Sequence, residues 1–236
     1  MTGTRHGELL ARCTFPPPGT DVTCAVSGGT DSLALLVLAC EAGCRVIAVH
    51  VDHGLRPGSD READLVAAVA ATLGAGFRAE RTHVSPGPNL EARARTARYA
   101  VLPADVLTGH TADDQAETVL LNLLRGAGLD GLAGMGRDRH PILSLRRSET
   151  GSVCGVEGLT PFEDPSNADP VHRRNRVRAE LLPLFDAIAE RDVAPILARQ
   201  ADLLRDEAAL LDDLAAALDP TDARLLTSSP PALSRR

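Results

Sequence analysis

The stretch near the start of the chain whose residues could do chemistry is Ser27-Gly28-Gly29-Thr30-Asp31-Ser32. Two adjacent glycines let a backbone approach a ligand closely and turn several N–H groups toward one point. The hydroxyl groups add donors, and the positive end of a following helix favours a bound anion. The stretch is therefore typical of a loop that binds phosphate.

This loop is not the Gly-x-x-x-x-Gly-Lys-Ser/Thr loop of ordinary P-loop NTPases. No lysine follows the glycines, and all 25 basic residues of the chain are arginine. The plain structural alternative is a strand-to-helix turn that needs small residues and a capping Asp or Ser. That alternative accounts for a pair of adjacent glycines. It accounts less well for a hexapeptide in which glycines, hydroxyl residues and an aspartate all occur together.

A second polar stretch runs from Gly109 to Thr118 and contains four candidate catalytic residues: His110, Asp113, Asp114 and Glu117. On a helix, Asp113 and Glu117 are one turn apart, on a face that continues into leucines. Carboxylates beside a core need partners, and a ligand cation could be one. A capping box with acids in the first helical turn is the local alternative, most of all for Asp114. A metal cluster is a third reading, although the spacing fits no closed zinc site.

Two groups of arginines are candidates for binding phosphates. Arg95 and Arg98 lie on neighbouring turns of a predicted helix, where a solvated face with Glu91 paired to Arg95 is the alternative. Four further arginines are concentrated in residues 172–178: Arg173, Arg174, Arg176 and Arg178. Such density in a net-acidic chain predicts contacts with nucleic-acid phosphates, and pairing with nearby acids is the alternative.

The elements that position these residues alternate between strand and helix. Strands are predicted at residues 22–26, 45–51, 77–84 and 105–108, and helices at 33–40, 60–73, 89–101 and 112–124. This order predicts an α/β fold with a parallel sheet wound on both faces. Ligands in that architecture bind beyond the carboxyl ends of the strands, where Ser27, Asp52 and Gly109 are expected.

After residue 125 the sequence is irregular and rich in glycine, and residues 164–167 have the composition of a turn. An arginine-rich helix is predicted over residues 172–185. Leucines at helical spacing then predict a long amphipathic helix that leaves the first domain. We expect a catalytic domain over residues 1–186. Residues 187–236 are expected to be a helical linker or the start of a C-terminal region, in a chain that looks shortened.

Composition bounds the class of protein. The 236 residues are 44% hydrophobic and 24% charged, as in an ordinary globular protein. A net charge of −7 means that any nucleic-acid binding must depend on local arginine clusters. Five cysteines without a Cys-x-x-Cys pair, and no leader or membrane-length apolar run, predict a soluble, cytoplasmic protein with reduced thiols.

The glycine-containing loop resembles that of the N-type ATP pyrophosphatases, the PP-loop enzymes. The chain as a whole resembles the tRNA(Ile)-lysidine synthases, from residue 22 to about residue 185. The loop and the Gly-His-x-x-Asp-Asp motif at residues 109–114 are shared with other PP-loop enzymes. Residues 50–59, 89–99 and 174–178 also carry the resemblance, and the segments at residues 123–132 and 164–167 are much more specific to it.

This resemblance implies an adenine nucleotide alpha hydrolase-like fold and an ATP-dependent ligase. The reaction would join L-lysine to the wobble cytidine of tRNA(Ile) with a CAU anticodon, through an adenylated cytidine. Residues 27–32 would hold the pyrophosphate of ATP, and Asp31 would help to place Mg²⁺. Arg95 and Arg98 would steady the adenylated intermediate or the tRNA backbone, Asp113 or Glu117 would bind lysine or orient the base, and the four later arginines would bind tRNA.

Three alternatives remain open from the sequence. A PP-loop tRNA thiolase would want paired cysteines, which the chain lacks. A small-molecule adenylating ligase would make the arginine patch an ordinary surface. A nucleotide-binding module without turnover would release no pyrophosphate. The sequence also leaves open a homodimer, and nothing in it suggests a membrane partner.

Overall fold

The computed structural model describes residues 5–52, 54, 60–82, 90–162, 169, 171–216, 218 and 230–234. The strands are β1 (Asp21–Ala25), β2 (Arg45–Asp52), β3 (Gly76–Arg81) and β4 (Leu107–Thr108). The first helices are α1 (Gly7–Leu10), α2 (Thr30–Glu41), α3 (Asp60–Thr72), α4 (Leu90–Val101), α5 (Ala112–Leu124) and α6 (Leu129–Leu132). The later ones are α7 (Arg147–Val156), α8 (Arg173–Arg176), α9 (Leu182–Ala189), α10 (Ala194–Ala216) and α11 (Pro231–Ser234). The turn predicted at residues 164–167 lies outside the described residues.

The four strands form one parallel sheet in the order β3-β2-β1-β4. β1 pairs with β2 along its whole length and with β4 through Cys24 and Ala25. The chain therefore continues to one side of β1 first and returns to its other side later. The carboxyl end of β1, where such a reversal leaves a crevice in an open α/β sheet, carries the glycine-containing loop.

Helices cover both faces of the sheet. Successive residues of a strand point to opposite faces, so neighbouring strand residues belong to different cores. Cys24 and Ala48 belong to a core shared with α2 and α3. Their neighbours Ala25 and Val49 pack on the opposite side with residues of α4 and the turn before β4. α2 is apolar on all sides, and its leucines at positions 33, 35, 36 and 38 are fully buried. The predicted doubly wound α/β class is confirmed.

The chain divides into two compact units. The sheet unit comprises Met1–Asp113 and Gly136–Asp169, and the helical unit comprises Asp114–Met135 and Pro170–Arg236. The helical unit has its own core, made by residues of α5, of α10 and of the helical segment that follows Arg176. The sequence-based division at residue 186 groups the residues differently, because it assigns residues 114–135 to the first domain. That division stays a prediction.

Several elements differ from their predicted form. β4 is only two residues long, because a turn at Pro103 to Val106 occupies the start of the predicted strand. The arginine-rich helix is not regular: Val177–Leu181 forms a wide π-helical turn between α8 and α9. No pattern predicted α7, which contains Gly151 and Gly155 and buries only Thr150, Val153 and Cys154.

Candidate functional site

The loop after β1 is braced by its own hydroxyl groups. Ser32 Oγ donates to the Gly29 carbonyl at 2.8 Å and accepts from the Ser27 N–H at 3.2 Å. The Ser27 and Ser32 hydroxyl oxygens are also 3.2 Å apart. α2 begins at Thr30 with an extended Gly29 before it, so its first N–H groups have no intrahelical acceptor. The predicted cofactor residues thus form a rigid turn with donors available to an anion.

Gly28 has a backbone conformation that favours glycine, with φ at +87°. Its carbonyl accepts a hydrogen bond of 2.9 Å from the N–H of Phe162, which fixes the loop against a later segment. A side chain here would meet only ordinary van der Waals neighbours. The backbone conformation, and not a lack of space, is what requires glycine at this position.

Gly109, which follows β4, lies directly against the start of α2. A Cβ atom on Gly109 would be 2.5 Å from the Asp31 carbonyl oxygen and 3.0 Å from the Ser32 nitrogen. No Cβ atom can approach backbone atoms that closely without displacing them. The two motifs that the sequence places about 80 residues apart are therefore in contact in the sheet unit.

His110 shares a hydrogen-bond cluster with Thr108 and His140. The Thr108 Oγ1 lies 2.7 Å from Nδ1 of His110 and 2.6 Å from Nδ1 of His140. The two Nδ1 atoms are 3.2 Å apart, and the rings are edge to face. Because one hydroxyl can donate only one proton, this cluster suits histidines in different tautomers. His140 has no motif around it, and sequence reasoning missed it.

Asp31 is held by residues of α7. Its carboxylate accepts a hydrogen bond from the Thr150 hydroxyl and lies 3.5 Å from Nε of Arg147. The side chain keeps part of its surface exposed. A carboxylate oxygen beside a phosphate loop is a hard ligand of the kind that Mg²⁺ prefers, with phosphate oxygens supplying others. Asp31 is thus a fitting residue to hold Mg²⁺ with a nucleotide.

Asp113 is paired with the residues that begin α7. Arg146 donates from Nε at 3.0 Å and from Nη2 at 2.8 Å, a bidentate pair, and the Arg147 N–H donates at 2.8 Å. Burial raises the pKa of the Asp113 carboxyl, but these hydrogen bonds and the two arginine charges outweigh it and hold that pKa below its usual range. Asp113 is therefore an ionised anchor for α7.

The Asp113 pair predicts a pH-dependent stability. A carboxyl with a lowered pKa stabilises the folded state fully above its unfolded pKa, about 3.9, and loses that contribution as pH falls through the folded value. Asp113→Asn is therefore expected to be less stable than wild type at pH 7, by a margin that shrinks toward pH 3. Urea unfolding across this range measures the margin. Arg146→Gln should weaken the dependence of the free energy of unfolding on pH over the same range. A difference between Asp113→Asn and wild type that does not change with pH would contradict a lowered pKa at Asp113.

Arg95 and Arg98 of α4 lie over the ring of Tyr99. Their Cζ atoms are 5.0 Å and 5.5 Å from the ring centroid, which is cation–π distance. Burial lowers the pKa of Arg98, although the nearby Tyr99 opposes the shift. The side chain of Glu91, the alternative partner of Arg95, is outside the described part of the chain. A third arginine, Arg139, also lies over Tyr99, at 5.4 Å.

Within the helical unit, the carboxylate of the fully buried Glu117 accepts hydrogen bonds from two arginines. Arg174 Nε is 2.7 Å from one carboxylate oxygen, and Arg178 Nε is 2.6 Å from the other. Both guanidinium groups also lie within 4 Å of Asp114. Arg176 pairs with Glu180 on the surface at 2.9 Å, and Arg173 has no ion-pair partner among the described residues.

The roles predicted for these residues in catalysis and tRNA binding stay predictions. What the geometry adds is that Asp113 and Glu117 each already have guanidinium partners. Arg174 and Arg178 are held by acids, as the alternative reading of the patch expects.

One group of possible metal ligands occurs among the described residues: His6, Glu41 and Glu157. His6 Nδ1 is 3.1 Å from Glu41, and Arg5 pairs with Glu157 at 2.9 Å. These carboxylates already have hydrogen-bonding or cationic partners, so the group is explained as an ion-pair cluster. The alternative of a metal cluster at residues 110–117 has no support in the part of the chain described.

The five cysteines are free thiols. Burial raises the pKa of Cys13, Cys40 and Cys154 to about 11, and it also raises that of Cys24 and Cys44. They are therefore uncharged at neutral pH and poor nucleophiles. Among the described helices, none is long and apolar enough to cross a membrane.

Similarity to known proteins extends over most of the chain. The tRNA(Ile)-lysidine synthase of Nocardia farcinica is 45% identical over 203 residues, covering 82% of this chain and 64% of that protein. The synthase of Thermobifida fusca is 44% identical over 209 residues, covering 81% and 64%. The resemblance to these synthases is thus confirmed, and the chain spans slightly less than two thirds of their length.

A solved structure and a family model agree on the fold. The U34-tRNA thiolase of Methanococcus maripaludis superposes with a TM-score of 0.61 at 18% identity, covering 80% of this chain and 73% of that one. At that identity the likeness concerns the fold alone. The model of the PP-loop domain matches residues 6–185, three quarters of the chain. The chain therefore belongs to the PP-loop domain family.

Proposed function

We propose that the chain carries out ATP-dependent lysidine synthesis. It joins L-lysine to C2 of the wobble cytidine of tRNA(Ile) with a CAU anticodon and produces AMP and pyrophosphate. The observation that carries the proposal is the braced loop at residues 27–32, at the carboxyl end of β1, in a chain about 45% identical to curated tRNA(Ile)-lysidine synthases.

The chemistry requires activation of the cytidine first. Its C2 carbonyl is a poor electrophile without a leaving group. The O2 atom attacks the α-phosphorus of ATP, and the bond from that phosphorus to pyrophosphate breaks. The lysine ε-amine then attacks C2, the C2–O2 bond breaks, AMP departs, and the amine loses its excess proton. The base must leave its stack to be reached.

Residues of the sheet unit supply the nucleotide half of this reaction. Ser27, the glycines and the first N–H groups of α2 hold the departing pyrophosphate. Asp31, oriented by Thr150, would hold Mg²⁺, and the ion would supply positive charge to neutralise the phosphates. Gly109, the residue before His110, lies against the backbone at the start of α2, and His110 would donate a hydrogen bond to a phosphate oxygen.

The amine and RNA half involves the carboxylates and the later arginines. Asp113, Asp114 and Glu117 are the candidates to receive the lysine ammonium group or to orient the base. An incoming ammonium would replace an arginine at Asp113 or Glu117, since both carboxylates are paired. Arg173 has no ion-pair partner among the described residues, and Arg176 is on the surface in a pair with Glu180. These two arginines would bind tRNA phosphates.

The test is transfer of labelled lysine to tRNA(Ile) in the presence of ATP. Asp31→Asn and Ser32→Ala are each expected to lower turnover by about 100-fold, because Asp31 would hold the Mg²⁺ that neutralises phosphate charge and the Ser32 hydroxyl braces the loop that would hold the pyrophosphate. The matched controls are Asp21→Asn, exposed at the amino end of β1, and Ser152→Ala on the exposed side of α7.

Two outcomes would contradict the proposal. In one, the wild-type protein transfers no lysine but accepts another amine or a sulfur donor. In the other, the loop variants keep the turnover of their controls. The uncharged cysteines argue against sulfur transfer, because a thiolase of this family would need reactive thiols or a cluster.

A further inference from the structure

Three guanidinium groups surround one tyrosine ring in the sheet unit. Arg95, Arg98 and Arg139 each lie 5.0 to 5.5 Å from the centroid of Tyr99. Arg95 and Arg98 come from α4, whereas Arg139 comes from the irregular segment before α7. Long-range folding therefore adds a third positive charge to the two that the sequence motif supplies.

Within the part of the chain that the structure describes, no carboxylate forms an ion pair with these three charges. Most other described arginines do form such a pair. The Nε atom of Arg139 is buried and has no hydrogen-bond partner. Cation–π contact with one ring offsets only part of the repulsion among like charges. An anion that accepts hydrogen bonds would satisfy both the charge and the donor.

The cluster lies at the edge of the sheet where the phosphate loop begins. Tyr99 packs against the small core of Val49, Leu102 and Val106, and so do Ala25, the last residue of β1, and Val51 near the end of β2. The Thr108 N–H, at the end of β4, donates to the Arg139 carbonyl at 2.9 Å. The backbone of Arg139 is therefore attached to the carboxyl edge of the sheet, beside the residues that precede the loop.

We infer that Arg139 completes a phosphate-binding site with Arg95 and Arg98 around Tyr99. Guanidinium groups bind phosphate through paired N–H donors, and the unsatisfied Nε–H of Arg139 is such a donor. The inference rests on the proposed function, because that function names the two compounds that could supply the phosphate. The bound group is either a phosphate of ATP or a phosphodiester of the tRNA backbone.

The test is Arg139→Gln in the full chain, with binding measured separately for ATP and for tRNA. Loss of one charge-assisted contact is expected to weaken binding of one of them by about tenfold. Weaker binding of ATP alone assigns the nucleotide phosphate. Weaker binding of tRNA, with the salt dependence reduced by about one counterion, assigns the RNA backbone. Arg45→Gln removes the same charge at the amino end of β2, where Arg45 pairs with Asp21, and should bind both like wild type.

A folded Arg139→Gln protein that binds both ATP and tRNA as tightly as Arg45→Gln would overturn the inference. Should Arg139→Gln not fold, Arg139→Lys decides, because lysine keeps the charge and loses the paired donors. The Arg139→Lys protein is expected to bind either ATP or tRNA about threefold more weakly than wild type. Unchanged binding of both would overturn the inference. Since these measurements need no turnover, failure of lysine transfer by the wild-type protein remains a separate result.

Discussion

Gly109→Ala is expected to destabilise the protein by about 3 kcal/mol and to remove ATP binding. The added Cβ would be 2.5 Å from the Asp31 carbonyl oxygen and 2.8 Å from its carbon, both of them backbone atoms. Neither can rotate away, so the start of α2 and the loop before it must shift. Urea unfolding measures the first effect, and equilibrium binding of ATP measures the second.

The matched control is Gly155→Ala in α7, where nothing lies within 4 Å of the added Cβ. There the substitution removes a glycine from a helix and is expected to stabilise it by up to about 1 kcal/mol. If Gly109→Ala kept both wild-type stability and wild-type ATP affinity, that result would contradict the close contact between Gly109 and the backbone at the start of α2.

Glu117→Gln is expected to cost about 3 kcal/mol of stability, the lower end of the range for breaking a buried ion pair. The carboxylate is fully buried and is bonded by both Arg174 and Arg178, so an amide leaves the two guanidinium charges with only the more distant carboxylate of Asp114, 3.8 and 3.9 Å away. Both arginines are partly exposed, and their access to water limits the cost. Urea unfolding at constant ionic strength is the measurement.

Glu180→Gln is the control for Glu117→Gln, because it removes an exposed carboxylate from a surface pair and is expected to change stability little. The comparison also separates structure from catalysis. A Glu117→Gln protein with wild-type stability and no lysine transfer would refute the structural role and leave only a binding role for this carboxylate.

The local sequence was sufficient to predict most of the sheet unit. Short apolar runs with β-branched residues mark β1 and β2, and the apolar residues 33–40 mark the helix that packs beneath the sheet. Small residues between β1 and α2 indicated the phosphate loop, and α5 begins and ends where its pattern predicts. These features succeed because helix and strand periods and glycine conformation are properties of neighbouring residues.

The partners of the site residues could not be predicted in this way. Thr150 and Arg147 reach Asp31 from 119 and 116 residues away, and Arg146 reaches Asp113 across 33 residues. Thr150 and Arg147 belong to α7 and Arg146 is the residue that caps it, and the glycines and scarce apolar positions of α7 hide its helical pattern. His140 and Arg139 likewise lie in a segment without a motif.

The sequence by itself thus determined the order of the elements and the position of the loop proposed to bind phosphate, since both depend on local backbone preferences. Only the tertiary structure decided which charges are paired. Glu117 is neutralised by Arg174 and Arg178, whereas Arg95, Arg98 and Arg139 share a tyrosine without an acid among the described residues. Pairing of charges depends on distances between remote residues, and those distances exist only once the chain has folded.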